Sequence, residues 1–422
     1  RANNTAEAAD IIDRALTTAV RKKRPVYIEI PRNLWRANIM APVTPAETAI
    51  SPSGAEGDAA QKILAFLRGA ERPAVLLGVE VQRYGAIEQT AALMKKLGIP
   101  YSTTMLAKSV IAENTPNFVG VYDSRYAPPN VMNVVEKSDR LLALGCVFGV
   151  QHLALLSSLR TKVARVFDGE VNVRNDNFKG VSFKALVEEL NRASWTPNPG
   201  WSAWIGQNRL SGLSFDQRRA GMKSPPSPPS NETAMTYEEV MRSVSDFLDE
   251  SFVTITDTSL SMYPAADMDI KGAGGMFCNA VWQSIGYSVA AAVGAGVAQE
   301  KRRPLVICGD GGFQMTAQSL STMALRNIRS VVIVLDNGFY GIEQFLIDRS
   351  YFNNPASRPP SYLSLQPWKY ADLARSFGIN AVWEANSVDS FKEALRGAKA
   401  AQGPAFIAVK LKRKDLPPEL RA

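Results

Sequence analysis

The chain has 422 residues, 46% hydrophobic and 21% charged, with a formal net charge of +8. This is globular composition, and at roughly 150 residues per domain it suggests two or three domains. The lysines and arginines are dispersed, the densest runs being Arg21 to Arg24 and Lys412 to Lys414; no basic stripe interleaved with aromatics argues for nucleic acid as a partner. Apolar runs stop well short of the ~20 residues a membrane helix needs, and no signal peptide opens the sequence, so a soluble chain without a membrane partner is expected. The single histidine, His152, leaves His-rich metal sites and Ser-His-Asp triads almost without material. Cys146, Cys278 and Cys308 lie far apart in apolar surroundings, which predicts buried thiols in a reducing compartment, the cytoplasm.

The chain opens in a helical pattern, Ala6 to Val20, leading into "RPVYIEIP", which reads as a buried strand over Val26–Ile30. One helix and one strand cannot bury their faces alone, so residues 1–40 are expected to be the tail of a domain. Residues 41–57, Pro/Ser/Ala-rich and without periodicity, read as an extended linker. An α/β segment follows over 58–195. It has a helix over Ala59–Leu67, a strand over Pro73–Leu77 closed by Gly78, and a helix over Ile87–Leu97 ended by Gly98. Strands around Tyr101–Thr104 and Arg140–Leu144 bracket a helix over Asn130–Lys137, and Val163–Phe167 adds another strand. Such alternation implies a parallel sheet covered by helices. Residues 196–234, with "TPNPG" and "SPPSPPS", read as a second linker with polyproline character, a spacer rather than an SH3-type ligand. The last segment, 235–422, alternates again. Helices are expected over Tyr237–Leu248, Ser284–Ala298 and Thr316–Leu325, and strands over Phe252–Thr256, Leu305–Cys308, Ser330–Leu335 and Ala405–Leu411. The fold class is α/β, with doubly wound parallel sheets and flanking helices.

Within that last segment the stretch "PLVICGDGGFQMTAQSLSTMAL" carries a chemical contradiction. Asp310 stands among Gly309, Gly311 and Gly312 where a buried strand ends and a helix begins. A helix start favours phosphate, and a carboxylate beside phosphate repels it unless a cation lies between them. The next strand ends in "LDNGFYGIEQF". A right-handed crossover brings its end to the same sheet edge, where ligands of open α/β sheets bind. Asp310 and Asn337 are thus candidate joint ligands of one oxygen-preferring ion such as Mg²⁺, with Glu343 pointing into the same cleft.

"GDGGFQMTAQSLSTM" followed by "VIVLDNGFYGIEQ" resembles the thiamine diphosphate motif of the 2-oxo acid decarboxylases, with pyruvate, indolepyruvate and phenylpyruvate decarboxylases the nearest in likeness. "RPVYIEIPRNLW" resembles the end of that family's pyrimidine-binding domain, "LAKSVIAENTPNFVGVY" its Rossmann-like central domain, "VWQSIGYSVAAAVGA" the helix over the cofactor and "KDLPPEL" its C-terminus. The resemblance implies a thiamine diphosphate-binding fold over 235–422, with 58–195 as central domain and 1–40 as a remnant of the pyrimidine domain. It implies Mg²⁺ held by Asp310, Asn337 and the Phe339 carbonyl, and a diphosphate held by the amides of Gly311 and Gly312 beside Gly309 and by the loop Asp257, Thr258 and Ser259. Ile285 corresponds to the wedge that bends thiamine, flanked by Ser284, and the Gln283 carbonyl to an acceptor for its amino group. Tyr340, Gly341 and Ile342 line the cofactor, and Glu343 is the acid in proton relay. The sequence departs from the family in two places: Asp336-Asn337 stands where paired asparagines are usual, and Phe339 where glycine is.

The implied activity is non-oxidative decarboxylation of a 2-oxo acid to an aldehyde, in a homodimer or homotetramer. Phe339, Phe345, Leu346 and the Trp282 region point to an aromatic or branched substrate such as phenylpyruvate or indolepyruvate, with pyruvate still open. The family's activating glutamate and paired histidines belong to the pyrimidine domain, and the sequence does not contain the stretch that would carry them. His152 is no substitute. A carboligase of the same superfamily, and a non-catalytic or separately assembled subunit, are the alternatives.

Overall fold

A computed structural model describes residues 4–40, 52–157, 162–208, 213–222, 232–299 and 301–421. The first sheet joins β1 (Pro73–Leu77), β2 (Tyr101–Thr104), β3 (Phe118–Tyr122), β4 (Arg140–Leu144), β5 (Val163–Phe167), β6 (Glu170–Val173) and β7 (Asp176–Lys179) in the order β3-β2-β1-β4-β5-β6-β7. Its first five strands are parallel, while β6 and β7 fold back antiparallel at one edge. Their polar sequences "EVNV" and "DNFK" carry little strand signal, and the hairpin forms on its pairing with β5.

The second sheet joins β8 (Phe252–Thr256), β9 (Met276–Cys278), β10 (Arg303–Gly309), β11 (Val331–Asp336), β12 (Ala381–Ala385) and β13 (Ala405–Lys410), all parallel, in the order β12-β13-β11-β10-β8-β9. Both faces are buried, since side chains alternate across a strand. Leu305, Ile307, Val331 and Ile333 enter one core, and Val306, Cys308, Val332 and Val334 the other. The chain order reverses between β8 and β10, and the crevice opened there by the diverging loops is where doubly wound sheets bind ligands.

Three expectations need correction. Val26–Ile30 is not a strand: its residues alternate exposed and half-buried, Tyr27 is 86% exposed, and no neighbouring strand among the described residues pairs with it. The preceding helix Thr5–Lys22 instead leads to an Arg24–Glu80 ion pair (2.7 Å) and a Tyr84 hydroxyl donating to the Lys22 carbonyl (3.0 Å). The helix expected from Ser284 begins at Tyr287; positive φ at Gln283 (55°) and Gly286 (83°) keeps the preceding turn out of helical geometry. The segment 196–234 is not extended where it is described. Trp201 and Trp204 bury their rings and donate their indole N–H groups to the carbonyls of Ala70 and Pro73, each at 3.0 Å, and Phe215–Arg218 forms a further helical turn. Most of the first linker, and the "SPPSPPS" run, lie outside the described residues.

A buried ionic cluster joins the two sheets. Lys108 donates to Glu113 (2.8 Å) and to the Met268 carbonyl (2.9 Å); Arg218 bridges Glu113 (2.7 Å) and Asp269 (2.8 Å); Arg219 pairs with Glu419 and, at 3.5 Å, with Asp267. Among the described residues no helix is long and apolar enough to cross a membrane.

Candidate functional site

The crevice at the C-terminal ends of β8, β10 and β11 gathers most of the expected residues. Thr258, Ser259, Ile285, Gly309, Asp310, Gly311, Gly312, Asn337, Phe339, Tyr340, Gly341, Ile342 and Glu343 line one pocket, together with Tyr237 and Leu260. Asp310 opens the helix Asp310–Thr316 directly off β10. Its carboxylate accepts from the backbone N–H of Gly311 (2.9 Å), Asn337 (3.1 Å) and Gly338 (2.7 Å). This couples the ends of β10 and β11. Burial pushes the Asp310 carboxyl up to about 7, the Gly338 N–H pulls it down, and the Asp336 carboxyl nearby pushes it up again. Asp336 in turn pairs with Lys410 at 3.0 Å.

Asn337 is fixed from both ends of its amide. Its Oδ1 accepts from the Phe339 N–H (3.2 Å) and its Nδ2 donates to the Tyr237 hydroxyl (3.2 Å). The sequence reading had Tyr237 only as the first residue of a helix; it follows the capping box of Thr236 and Glu239, and no local signal places its hydroxyl in the site. Gly338, at φ 78°, turns the chain so that Phe339 buries its ring against Tyr351 and Phe352, with centroids at 5.4 and 6.1 Å. Burial in this aromatic cluster accounts for a phenylalanine at this position.

Glu343 stands in the first turn of the helix Gly341–Ile347. It is half-buried, its Oε2 has no hydrogen-bond partner within the protein, and desolvation raises its carboxyl above the ordinary range. A carboxyl raised in this way, with one oxygen unpartnered, is a candidate proton donor into the crevice.

Three expected residues fall elsewhere. The Asp257 carboxylate lies behind the crevice wall, where it accepts from Gly286 N–H (3.0 Å), Ser288 N–H (2.9 Å) and Ser288 Oγ (2.7 Å); its work is to hold the start of the helix Tyr287–Ala298. Gln283 and Ser284 are exposed on the turn before that helix and do not line the pocket. The Gly311 N–H is already engaged by the adjacent Asp310 side chain. Gly311 is glycine for another reason: a Cβ there would stand 2.5 Å from Tyr340 Cε1.

The lining of the crevice offers the kinds of donor that a magnesium-bridged diphosphate would need. Thr258 Oγ1 is buried in its wall without a partner, as a donor to phosphate would be. The buried Asp310 carboxyl, with Asp336 beside it, is a group that a cation would stabilise in its ionised form. Among the described residues no three His, Cys, Asp or Glu side chains gather to hold a metal, so an ion would rely on Asp310 with amide and carbonyl oxygens. That donor set suits Mg²⁺ better than zinc.

Residues 258–409 match the "Thiamine pyrophosphate enzyme, C-terminal TPP binding domain" family, and residues 60–166 the "Thiamine pyrophosphate enzyme, central domain" family. The chain is 26% identical over 386 residues to Thiamine metabolism regulatory protein THI3 of Saccharomyces cerevisiae, covering 88% of this chain and 60% of that protein. It is 27% identical over 383 residues to Pyruvate decarboxylase isozyme 2 of the same yeast, covering 88% of this chain and 64% of that one. The chain thus spans less than two thirds of the length of these relatives. A crystal structure of benzoylformate decarboxylase from Polynucleobacter necessarius superposes with a TM-score of 0.69 at 17% identity, covering 99% of this chain and 76% of that one; it has the same fold. The chain belongs to the thiamine pyrophosphate enzymes, of which it carries the central domain and the C-terminal TPP-binding domain.

Proposed function

We propose that this chain forms the diphosphate-binding part of a thiamine diphosphate- and Mg²⁺-dependent decarboxylase that converts a 2-oxo acid to an aldehyde. Asp310, Asn337 and the Phe339 carbonyl would hold Mg²⁺, and Thr258, Ser259 and the amide of Gly312 the diphosphate. Bound thiamine diphosphate supplies the electron sink for loss of carbon dioxide. Asp310 ties the end of β10 to that of β11 through its two bonds from the Asn337 and Gly338 N–H groups, Tyr237 orients the Asn337 amide, and Ile285 lines the crevice. Glu343 holds a proton at its carboxyl, ready for transfer to the product carbon. This last feature is the single observation on which the reading rests: a partly desolvated carboxyl, with one oxygen unpartnered, in the same pocket as the Asp310–Asn337 pair.

Large apolar side chains left exposed in the chain support a homodimer or homotetramer. Trp282 is 84% exposed, Leu346 74% and Ile347 58%, and exposed apolar groups of this size mark interaction surfaces when they cluster. The substrate class proposed is an aromatic or branched 2-oxo acid, although the rings of Phe339 and Phe345, expected to select it, are buried in the core and Phe345 does not line the pocket. Carbon dioxide release from phenylpyruvate and from pyruvate, with thiamine diphosphate and Mg²⁺ present, tests the reading; release that the Glu343→Gln protein matches would overturn it.

A non-catalytic role is the second reading, favoured by the likeness to a protein named as a regulator of thiamine metabolism. It would show as magnesium-dependent cofactor binding without carbon dioxide release in the full-length protein.

A further inference from the structure

Six basic residues from stretches that lie apart in the sequence meet in space. At the opposite edge of the second sheet, where β8 and β10 begin, a groove of ≈ 910 Å³ is lined by Lys301, Arg302, Arg303, Arg326, Arg329 and Lys399, with no acidic residue among the described residues of its lining. These six come from three separate stretches of chain. Lys399 is balanced by Asp249 at 2.6 Å. Among the described residues the other five have no ion-pair partner: Arg302 donates to the Ala273 carbonyl at 2.8 Å, and Lys301, Arg326 and Arg329 present exposed or half-exposed charged ends.

Arg303 forms the floor. It is buried, and its guanidinium donates only to carbonyls, those of Arg329, Ala398, Lys399 and Gly403, at 2.6 to 3.2 Å. Burial, and the Arg329 charge beside it, push Arg303 down to about 10. The unremarkable explanation for basic residues here is that they complement helix dipoles, since the helices Tyr287–Ala298, Ser319–Leu325 and Val388–Ala400 all end at this edge. Three helix ends offer roughly −0.5 charge each, about −1.5 in all. Five unpaired cations exceed that by about three charges.

We propose that this groove is a binding site for a small polyanion bearing two or more phosphate groups, separate from the cofactor crevice. Arginine forks match phosphate oxygens in pairs, and the groove has the size of a small-ligand site. The seven-residue strand β10 separates it from Asp310, roughly 20 Å at ~3.3 Å per residue, so both sites can be filled at once.

Inorganic tripolyphosphate is the probe, titrated calorimetrically into the protein in magnesium-free buffer at about 0.15 M ionic strength, where surface attraction is screened beyond ~8 Å. Saturable binding that persists with excess thiamine diphosphate is expected, weakened at least ~10-fold in the Arg326→Glu/Arg329→Glu double variant. Both residues are solvent-exposed, so folding and thiamine diphosphate affinity should be unchanged. The proposal fails if tripolyphosphate does not bind, if thiamine diphosphate displaces it, or if the double variant binds as the parent does. It also fails if RNA binds through these residues and tripolyphosphate does not compete.

Discussion

Asp257 and Ser288 face each other across the gap between the end of β8 and the second residue of the helix Tyr287–Ala298. The carboxylate takes the Ser288 N–H at 2.9 Å and its hydroxyl at 2.7 Å. An acid next to the cofactor crevice therefore does its work on the protein's own backbone. It satisfies orphan donors of a helix start and, through the Gly286 N–H, fixes the turn that presents Ile285.

Asp257→Asn is expected to lower folding stability by about 2–4 kcal/mol, because an amide replaces a charged acceptor with a group that must turn one of its own donors toward existing donors. Ser288→Ala should cost ~1 kcal/mol. Urea unfolding of the two variants gives both figures, and equal losses would contradict the assignment.

Tyr237→Phe removes the acceptor for Asn337 Nδ2 while leaving the ring in place. Magnesium-dependent binding of thiamine diphosphate should weaken ~10-fold, as is common when a partner that orients a ligand is lost. The unfolding midpoint should move little. Tryptophan fluorescence titration measures the binding, and unchanged affinity would remove Tyr237 from the site.

Glu343→Gln keeps the shape of the side chain and abolishes its titration. Aldehyde formation by the full-length protein should fall by ~10²–10⁴-fold, the range for loss of a positioned proton donor. Cofactor affinity should stay within about twofold, since no metal or phosphate contact is assigned to Glu343. A matching collapse of cofactor binding would show instead that the residue is structural.

Gly311→Ala sets a methyl against the Tyr340 ring, 2.5 Å from Cε1 and 2.7 Å from Cδ1. A loss of about 1–3 kcal/mol is expected from this overpacking. In the Tyr340→Ala background most of it should vanish, and a double-mutant cycle should show at least ~1 kcal/mol of coupling. Additive losses would mean that something other than the ring excludes the methyl.

His152, buried against Tyr122 and Phe148 with Nδ1 accepting from the Gly149 N–H, is pushed down by burial to about 4 from an ordinary 6.5. As pH falls below 6.5 the unfolded chain binds a proton at this residue that the folded one does not. The stability it contributes is complete above 6.5 and is lost between 6.5 and 4, on the order of 3 kcal/mol. The difference in unfolding free energy between the parent and His152→Leu should shrink by about that amount over the window.

The second sheet was legible because its strands are short, fully apolar runs bounded by glycine and turn residues, as in "PLVICGDGG" and "SVVIVLDNG". The pairing of Asp310 with Asn337 followed from topology: consecutive parallel strands end on one edge. What stayed hidden depended on tertiary context. Tyr237 reaches the site from a helix about 100 positions away, and Asp257 looks like a ligand until the Gly286 turn is seen to occupy it. Val26–Ile30 has strand composition without a neighbour to pair with. Trp201 and Trp204 stabilise helical turns in a proline-flanked stretch by burying their rings in the two cores on either face of the first sheet. The cationic groove was invisible for the same reason: Arg302, Arg326 and Lys399 lie far apart along the chain and meet only at the base of a parallel sheet.

Lys108, Glu113 and Arg218 form a chain of buried charges that ends on the partly exposed Asp269, drawn from the first sheet's loop, the connecting segment and the second sheet's loop. Removing Glu113 would strand Lys108 and Arg218 away from water, at several kcal/mol for each uncompensated ion. Modular as the two sheets look, they cannot be dissected at the connecting segment and expected to stand alone. Anyone grafting the C-terminal half onto a relative's central domain would have to carry Lys108, Glu113 and residues 213–222 across as a set. The unit that selection can exchange is therefore defined by this hidden ionic seam, and its boundary runs through the interior of both sheets' loops.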